Sequence, residues 1–185
     1  GVTTNPSLMA KEAGDPRQIL KQICKIVGGP VSAEVVATDA EGMIREGREL
    51  AAIDKHIVIK VPFTKDGVQA CKVLAADGHR VNVTLIFSPT QAWLAAKVGA
   101  AYVSPFVGRL DAVGHTGMDL VRQIRTIYDN YGYPTQILTA AVRHPEHVLQ
   151  AALAGSDVCT MFFDTLKLLY DHPLTDVGLD IFLKD

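Results

Sequence analysis

Short runs of β-branched residues alternate along this chain with segments of helical period, and only a few residues separate one from the next. That alternation demands parallel strands, because parallel neighbours need a crossover of a dozen or more residues, usually a helix. Strands are expected at Gly1–Asn5, Val31–Val36, Ile57–Pro62, Arg80–Phe87, Ala101–Phe106, Thr135–Val142 and Asp157–Met161. Helices are expected near Asp15–Val27, Ala40–Asp54, Lys65–Ala76, Pro89–Val98, Gly117–Asn130, Pro145–Leu153 and Phe163–Leu169, with one more after His172-Pro173.

Two architectures fit such repetition, an open doubly wound sheet and a closed (β/α)8 barrel. Period-two alternation separates them. Ser32 and Glu34 share a strand face, as do Val58 and Lys60, then Asn82, Thr84 and Ile86, then Ser104 and Phe106. Thr3 and Asn5 fit the pattern, as do Thr139, Ala141 and Arg143. One face of each strand is apolar and the other carries polar groups towards its carboxyl end. An open sheet, covered by helices on both sides, has no place for a consistent polar face. A barrel aims that face at its axis, so the expected fold is an α/β, (β/α)8 TIM barrel over residues 1–185. The count is seven strands against the barrel's eight, and Gly1 already lies in a strand. A first βα unit is therefore expected upstream; without it two sheet edges stay open.

Composition narrows the function. With 185 residues, 48% of them hydrophobic, the chain can bury a core. A net charge of −2 without a lysine/arginine block gives no support for nucleic-acid binding. No apolar run approaches the length of a membrane span. Cys24, Cys71 and Cys159 stand at no metal-like spacing and read as reduced thiols of a cytoplasmic protein. His144-Pro145-Glu146-His147 superficially suggests a metal pair, but Pro145 marks a helix start and no third ligand is evident. Neither a dinucleotide fingerprint nor a phosphate loop is present, so cofactor-free chemistry is expected.

Lys60 is the residue that points to a reaction. It lies within Ile57-Val58-Ile59-Lys60-Val61-Pro62, and lysine is rarely buried without a reason. A desolvated amine is the starting point for Schiff-base chemistry on a carbonyl. The plainer alternatives are a lysine that reaches solvent from the strand end and a buried Glu34–Lys60 ion pair. If Lys60 reacts, Glu34 is expected to act through a water, with Thr84 as its hydrogen-bonding partner. Arg109 and Arg143 come just after two strand ends, where paired guanidiniums can hold a phosphate.

Gly1-Val2-Thr3-Thr4-Asn5-Pro6-Ser7, Val31-Ser32-Ala33-Glu34-Val35, the strand of Lys60, Asn82-Val83-Thr84-Leu85-Ile86-Phe87-Ser88 and Ser104-Pro105-Phe106-Val107-Gly108-Arg109 together resemble the small-subunit transaldolase family, essentially end to end. The resemblance implies a class I enzyme of the pentose phosphate pathway. Its lysine, matching Lys60, attacks the ketose carbonyl of a sugar phosphate, and a dihydroxyacetone unit passes to an aldose phosphate. It assigns water positioning to Glu34 and Thr84, substrate hydroxyls to Asn5, Asn82 and Ser104, and phosphate to Arg109 and Arg143. It also implies a homo-oligomer of five or ten subunits.

Two positions depart from the family pattern. Ala141 stands where the family has serine, and no residue matches the family's proton-shuttling aspartate. The nearest rival is a fructose-6-phosphate aldolase, which resembles this chain but has glutamine at the place of Glu34 and tyrosine at that of Phe106. Both positions favour transfer. A non-catalytic sugar-phosphate-binding protein is the alternative from another class, supported only by the missing aspartate.

Overall fold

The computed structural model describes residues 1–184. In chain order its elements are β1 (Val2–Thr3), α1 (Pro6–Met9), α2 (Pro16–Val27), β2 (Val31–Glu34), α3 (Ala40–Ala51), β3 (Ile57–Pro62), α4 (Lys65–Ala76), β4 (Val81–Ile86) and α5 (Pro89–Lys97). They continue as β5 (Tyr102–Pro105), α6 (Val107–Asp111), α7 (Gly117–Tyr131), β6 (Gln136–Val142), α8 (Pro145–Leu153), β7 (Val158–Met161), α9 (Phe163–Leu168) and α10 (Pro173–Phe182). All seven strands are parallel and ordered β1 to β7 as in the sequence, the arrangement of an α/β barrel one unit short of eight. No backbone ladder joins β7 to β1 among the described residues; a 2.7 Å hydrogen bond between the Thr3 and Thr160 hydroxyls connects them.

Helices cover the outer face. Ile59, Val61, Val81, Val83, Val103 and Ile137 pack outward against Met43, Leu74, Val121, Ile124 and Tyr128 in one continuous core. A smaller cluster joins Leu20 and Cys24 of α2 to Val31, Ala33 and Ile57. Tyr128 is fully buried, and its hydroxyl donates to the Ala92 carbonyl at 2.8 Å. Burial drives its pKa well above the usual tyrosine range.

The inner faces of β2, β3 and β5 keep the expected alternation. The carboxyl ends of β4 and β6 do not. Leu85 and Ala141 adopt left-handed backbone conformations, with φ of 60° and 57°, and each strand slips register there. An extra residue of this kind bends the strand and re-aims the side chains beyond it. Ile86, expected beside Asn82 and Thr84, turns outward into the helix-side core. In β6, Leu138 and Ala140 face the axis. Thr139, expected there, lies on the face of Ile137, where its hydroxyl bonds that of Ser156 at 2.7 Å.

The short helices α1 and α6 were not anticipated, since four or five residues cannot display a helical period. The α1 start was nevertheless encoded. Asn5 accepts a hydrogen bond from the Leu8 amide, and Pro6 occupies the first helical position.

Candidate active site

The carboxyl ends of the strands surround a cavity of about 610 Å³. Lys60 rises into it from the middle of β3, its side chain 9% exposed. Its Nζ lies 3.0 Å from Glu34 Oε2 and donates to the Thr4 carbonyl at 3.1 Å. The contact with Glu34 is direct: of the two arrangements the sequence left open, it is the ion pair and not separation by a water. Register explains it: Glu34 and Lys60 are opposite one another on adjacent strands, which lie about 4.8 Å apart. A buried pair of this kind is weak evidence of stabilisation, because desolvation opposes the Coulomb gain.

Thr84 faces the cavity from β4. Its buried hydroxyl has no hydrogen-bond partner among the described residues. Leaving such a group unsatisfied costs about 1–3 kcal/mol, so it is suited to bind a polar atom within the cavity. Ser104 donates to Asn82 Oδ1 at 2.8 Å, and Asn82 Nδ2 donates to Ser32 at 3.3 Å. Asn82 is fully buried and both ends of its amide are engaged, so it lies beneath the cavity and fixes Ser104.

Arg109 and Arg143 line the same cavity, and neither pairs with a carboxylate among the described residues. The Arg109 guanidinium sits 5.3 Å from the centre of the Phe106 ring, which packs edge-on against Phe87. Arg143 runs across Gly108. A Cβ at Gly108 would lie 3.0 Å from Arg143 Nε and 2.2 Å from the Ala141 carbonyl oxygen. The missing side chain lets α6 approach the end of β6 and brings the two arginines to one rim.

The structure therefore gathers Lys60, Thr84, Asn5, Ser104, Phe106, Arg109 and Arg143 around one space. Glu34 reaches Lys60 from the side and lines a second cavity, about 460 Å³, between α2, α3 and β2. Sequence reasoning missed the Thr4 carbonyl on Lys60 and the contribution of Phe162 and Thr165 to the wall. A backbone acceptor leaves no mark in residue type. Phe162 comes after a strand end as Phe106 does, but carries no polar signal. Asp164 stands at the rim, exposed and paired with Lys167 at 2.7 Å. The thiols are no rivals to the amine: burial pushes Cys71 up to about 12 and raises Cys24 and Cys159 as well. His144 has a capping role, its ring accepting from the His147 amide at the start of α8.

A buried primary amine near two guanidiniums that pair with no carboxylate among the described residues, at the carboxyl end of a parallel α/β barrel, has the parts for carbonyl chemistry on a small anionic compound. The sequence profile of a family described as transaldolase/fructose-6-phosphate aldolase matches residues 1–182. A "Probable transaldolase" from Petrotoga mobilis is 55% identical over 185 residues, spanning 100% of this chain and 84% of that protein. Proteins of the same description from Hydrogenobaculum sp. and Desulfosudis oleivorans are 56% and 58% identical, each over 100% of this chain and over 85% and 86% of their own lengths. The chain belongs to the transaldolase/fructose-6-phosphate aldolase family.

Proposed function

We propose that the protein is a transaldolase that moves a dihydroxyacetone unit from a ketose phosphate to an aldose phosphate through a Schiff base on Lys60. The observation that carries this reading is the buried Lys60 amine facing a cavity rimmed by Arg109 and Arg143.

Glu34, 3.0 Å away, accepts a proton from Lys60 and frees the amine to attack the ketose carbonyl carbon. The carbonyl oxygen then leaves as water, with the Thr84 hydroxyl and the carboxyl of Glu34 placed to handle it. The resulting iminium withdraws electrons from the C3–C4 bond. That bond breaks as the C4 hydroxyl gives up its proton to the Glu34 carboxylate, left ionised once the water has gone, and the aldose phosphate departs. The enamine left on Lys60 adds to the aldehyde of a second aldose phosphate, and water releases the new ketose. Asn5 and Ser104 bind substrate hydroxyls, with Asn82 holding Ser104. Arg109 and Arg143 hold the phosphate.

Sedoheptulose 7-phosphate, fructose 6-phosphate, erythrose 4-phosphate and glyceraldehyde 3-phosphate are the proposed substrates, and the proposed setting is the pentose phosphate pathway in the cytoplasm. The proposed assembly is a homo-oligomer, pentamer or decamer; the exposed Leu174, Val177, Ile181 and Phe182 on α10 support a contact surface there and do not bear on the number of copies.

Glu34 and Phe106 favour transfer over net cleavage. With fructose 6-phosphate and erythrose 4-phosphate supplied together, sedoheptulose 7-phosphate should form faster than free dihydroxyacetone. Free dihydroxyacetone released at an equal or greater rate would mark the protein as a fructose-6-phosphate aldolase. Arg109→Ala should raise KM for erythrose 4-phosphate roughly ten- to a hundredfold, as expected for one charged hydrogen bond, and leave KM for unphosphorylated erythrose nearly unchanged. An equal rise for both acceptors would contradict a phosphate role for Arg109.

A further inference from the structure

The amino-terminal end of α8 holds a pair, a largely buried histidine on an exposed aspartate, that the proposed reaction does not use. His147 Nε2 lies 2.9 Å from Asp111 Oδ2, and the His147 side chain is 12% exposed. The other ring nitrogen, Nδ1, accepts a hydrogen bond from the Arg143 backbone amide at 3.3 Å. Asp111 is fixed in turn, its Oδ1 accepting from the Gly117 amide at 2.8 Å. Asp111 ends α6, the helix that carries Arg109, while Arg143 comes two residues after the left-handed Ala141 at the end of β6.

These contacts leave the imidazole one arrangement. Nδ1 faces an N–H and must present its lone pair. Nε2 faces a carboxylate and must carry the proton. His147 is held below the usual histidine range, first by burial and then by His144 and Arg143, with Asp111 opposing them. The neutral ring is therefore the resting form. On α7, Arg122 is engaged with Asp119 and with Gln150 of α8, so it offers Asp111 no competing cation.

We propose that His147, oriented by Asp111, is a positioning residue for Arg143: by accepting the Arg143 amide it fixes the backbone from which that guanidinium reaches towards Arg109. The pair ties the α6 side of the rim to the β6 side, so the two guanidiniums keep a spacing suited to one phosphate. The inference rests on the reading of Arg109 and Arg143 as phosphate ligands.

Two isosteric changes separate the contacts. In His147→Asn, the amide oxygen can take the place of Nδ1 and still accept the Arg143 N–H. In His147→Gln, the longer amide keeps the partner of Asp111 and loses that acceptor. For inorganic phosphate as a competitive inhibitor and for KM of erythrose 4-phosphate, His147→Gln and His147→Ala should each weaken binding on the order of fivefold to tenfold. His147→Asn should stay within about twofold of the parent. For unphosphorylated erythrose, kcat and KM should be unchanged in all three variants.

Arg143→Ala and Arg109→Ala, measured alongside, test the underlying reading. If they weaken phosphate binding and His147→Gln does not, the positioning role is wrong and the phosphate reading stands. If neither arginine variant affects phosphate, the phosphate reading fails and this proposal fails with it. Equal losses for both acceptors in His147→Gln, or no recovery in His147→Asn, would assign His147 a folding role instead.

Discussion

Lys60→Arg is expected to abolish turnover and covalent capture together. Arginine retains the positive charge and much of the length, so it can occupy the space beside Glu34 and the Thr4 carbonyl. It has no amine that can be freed to attack a carbonyl. Borohydride reduction in the presence of fructose 6-phosphate should add one reduced three-carbon unit to the parent protein, located at Lys60 by peptide mass, and nothing to the variant. The rate of transfer should fall by several orders of magnitude, while the urea midpoint moves little. An adduct found only at another lysine, or a Lys60→Arg protein that still transfers, would end the Schiff-base reading.

Gly108→Ala is expected to damage the fold and the rim together. The added carbon would sit 2.2 Å from the Ala141 carbonyl oxygen, a backbone atom with no flexible end to move aside. Relief requires α6 to withdraw from β6, and Arg109 moves with it. Overpacking of this kind costs about 1–3 kcal/mol, which should lower the urea midpoint. Displacing a binding group by an ångström is worth on the order of a hundredfold, so KM for phosphorylated acceptors should rise well beyond what lost stability explains. An unchanged midpoint and KM would show that α6 is free to shift.

The parts of this site that were legible in the sequence are those that period two can express. Ser32, Glu34, Lys60, Asn82, Thr84 and Ser104 all belong to regular stretches of strand, and each faces the axis or the cavity as the alternation requires. Alternation fails where the backbone leaves the pleat. Leu85 and Ala141 are ordinary residues in composition, and nothing in either marks a left-handed turn; glycine or asparagine would have done so. Ile86 and Thr139 were therefore placed on the wrong side. The direct Glu34–Lys60 contact depends on strand register, which side-chain alternation leaves open by steps of two. The Asp111–His147 pair joins residues 111 and 147 through a crossover; Asp111 fell outside every expected element, and His147 belonged to a stretch set aside as a metal pair.

Leu85 and Ala141 also bear on when the site is made. A non-glycine residue in the left-handed region gives up about 1–2 kcal/mol, and glycine would relieve that at the expense of about 0.5–1 kcal/mol of extra chain entropy. On these figures the two options differ by only about 1 kcal/mol, in favour of glycine. They differ in how many shapes a strand end can sample. With leucine and alanine in place, the turns that aim Ile86 and Arg143 are settled during folding. An arriving sugar phosphate then meets a finished mould, and little of its binding energy is consumed in ordering the walls.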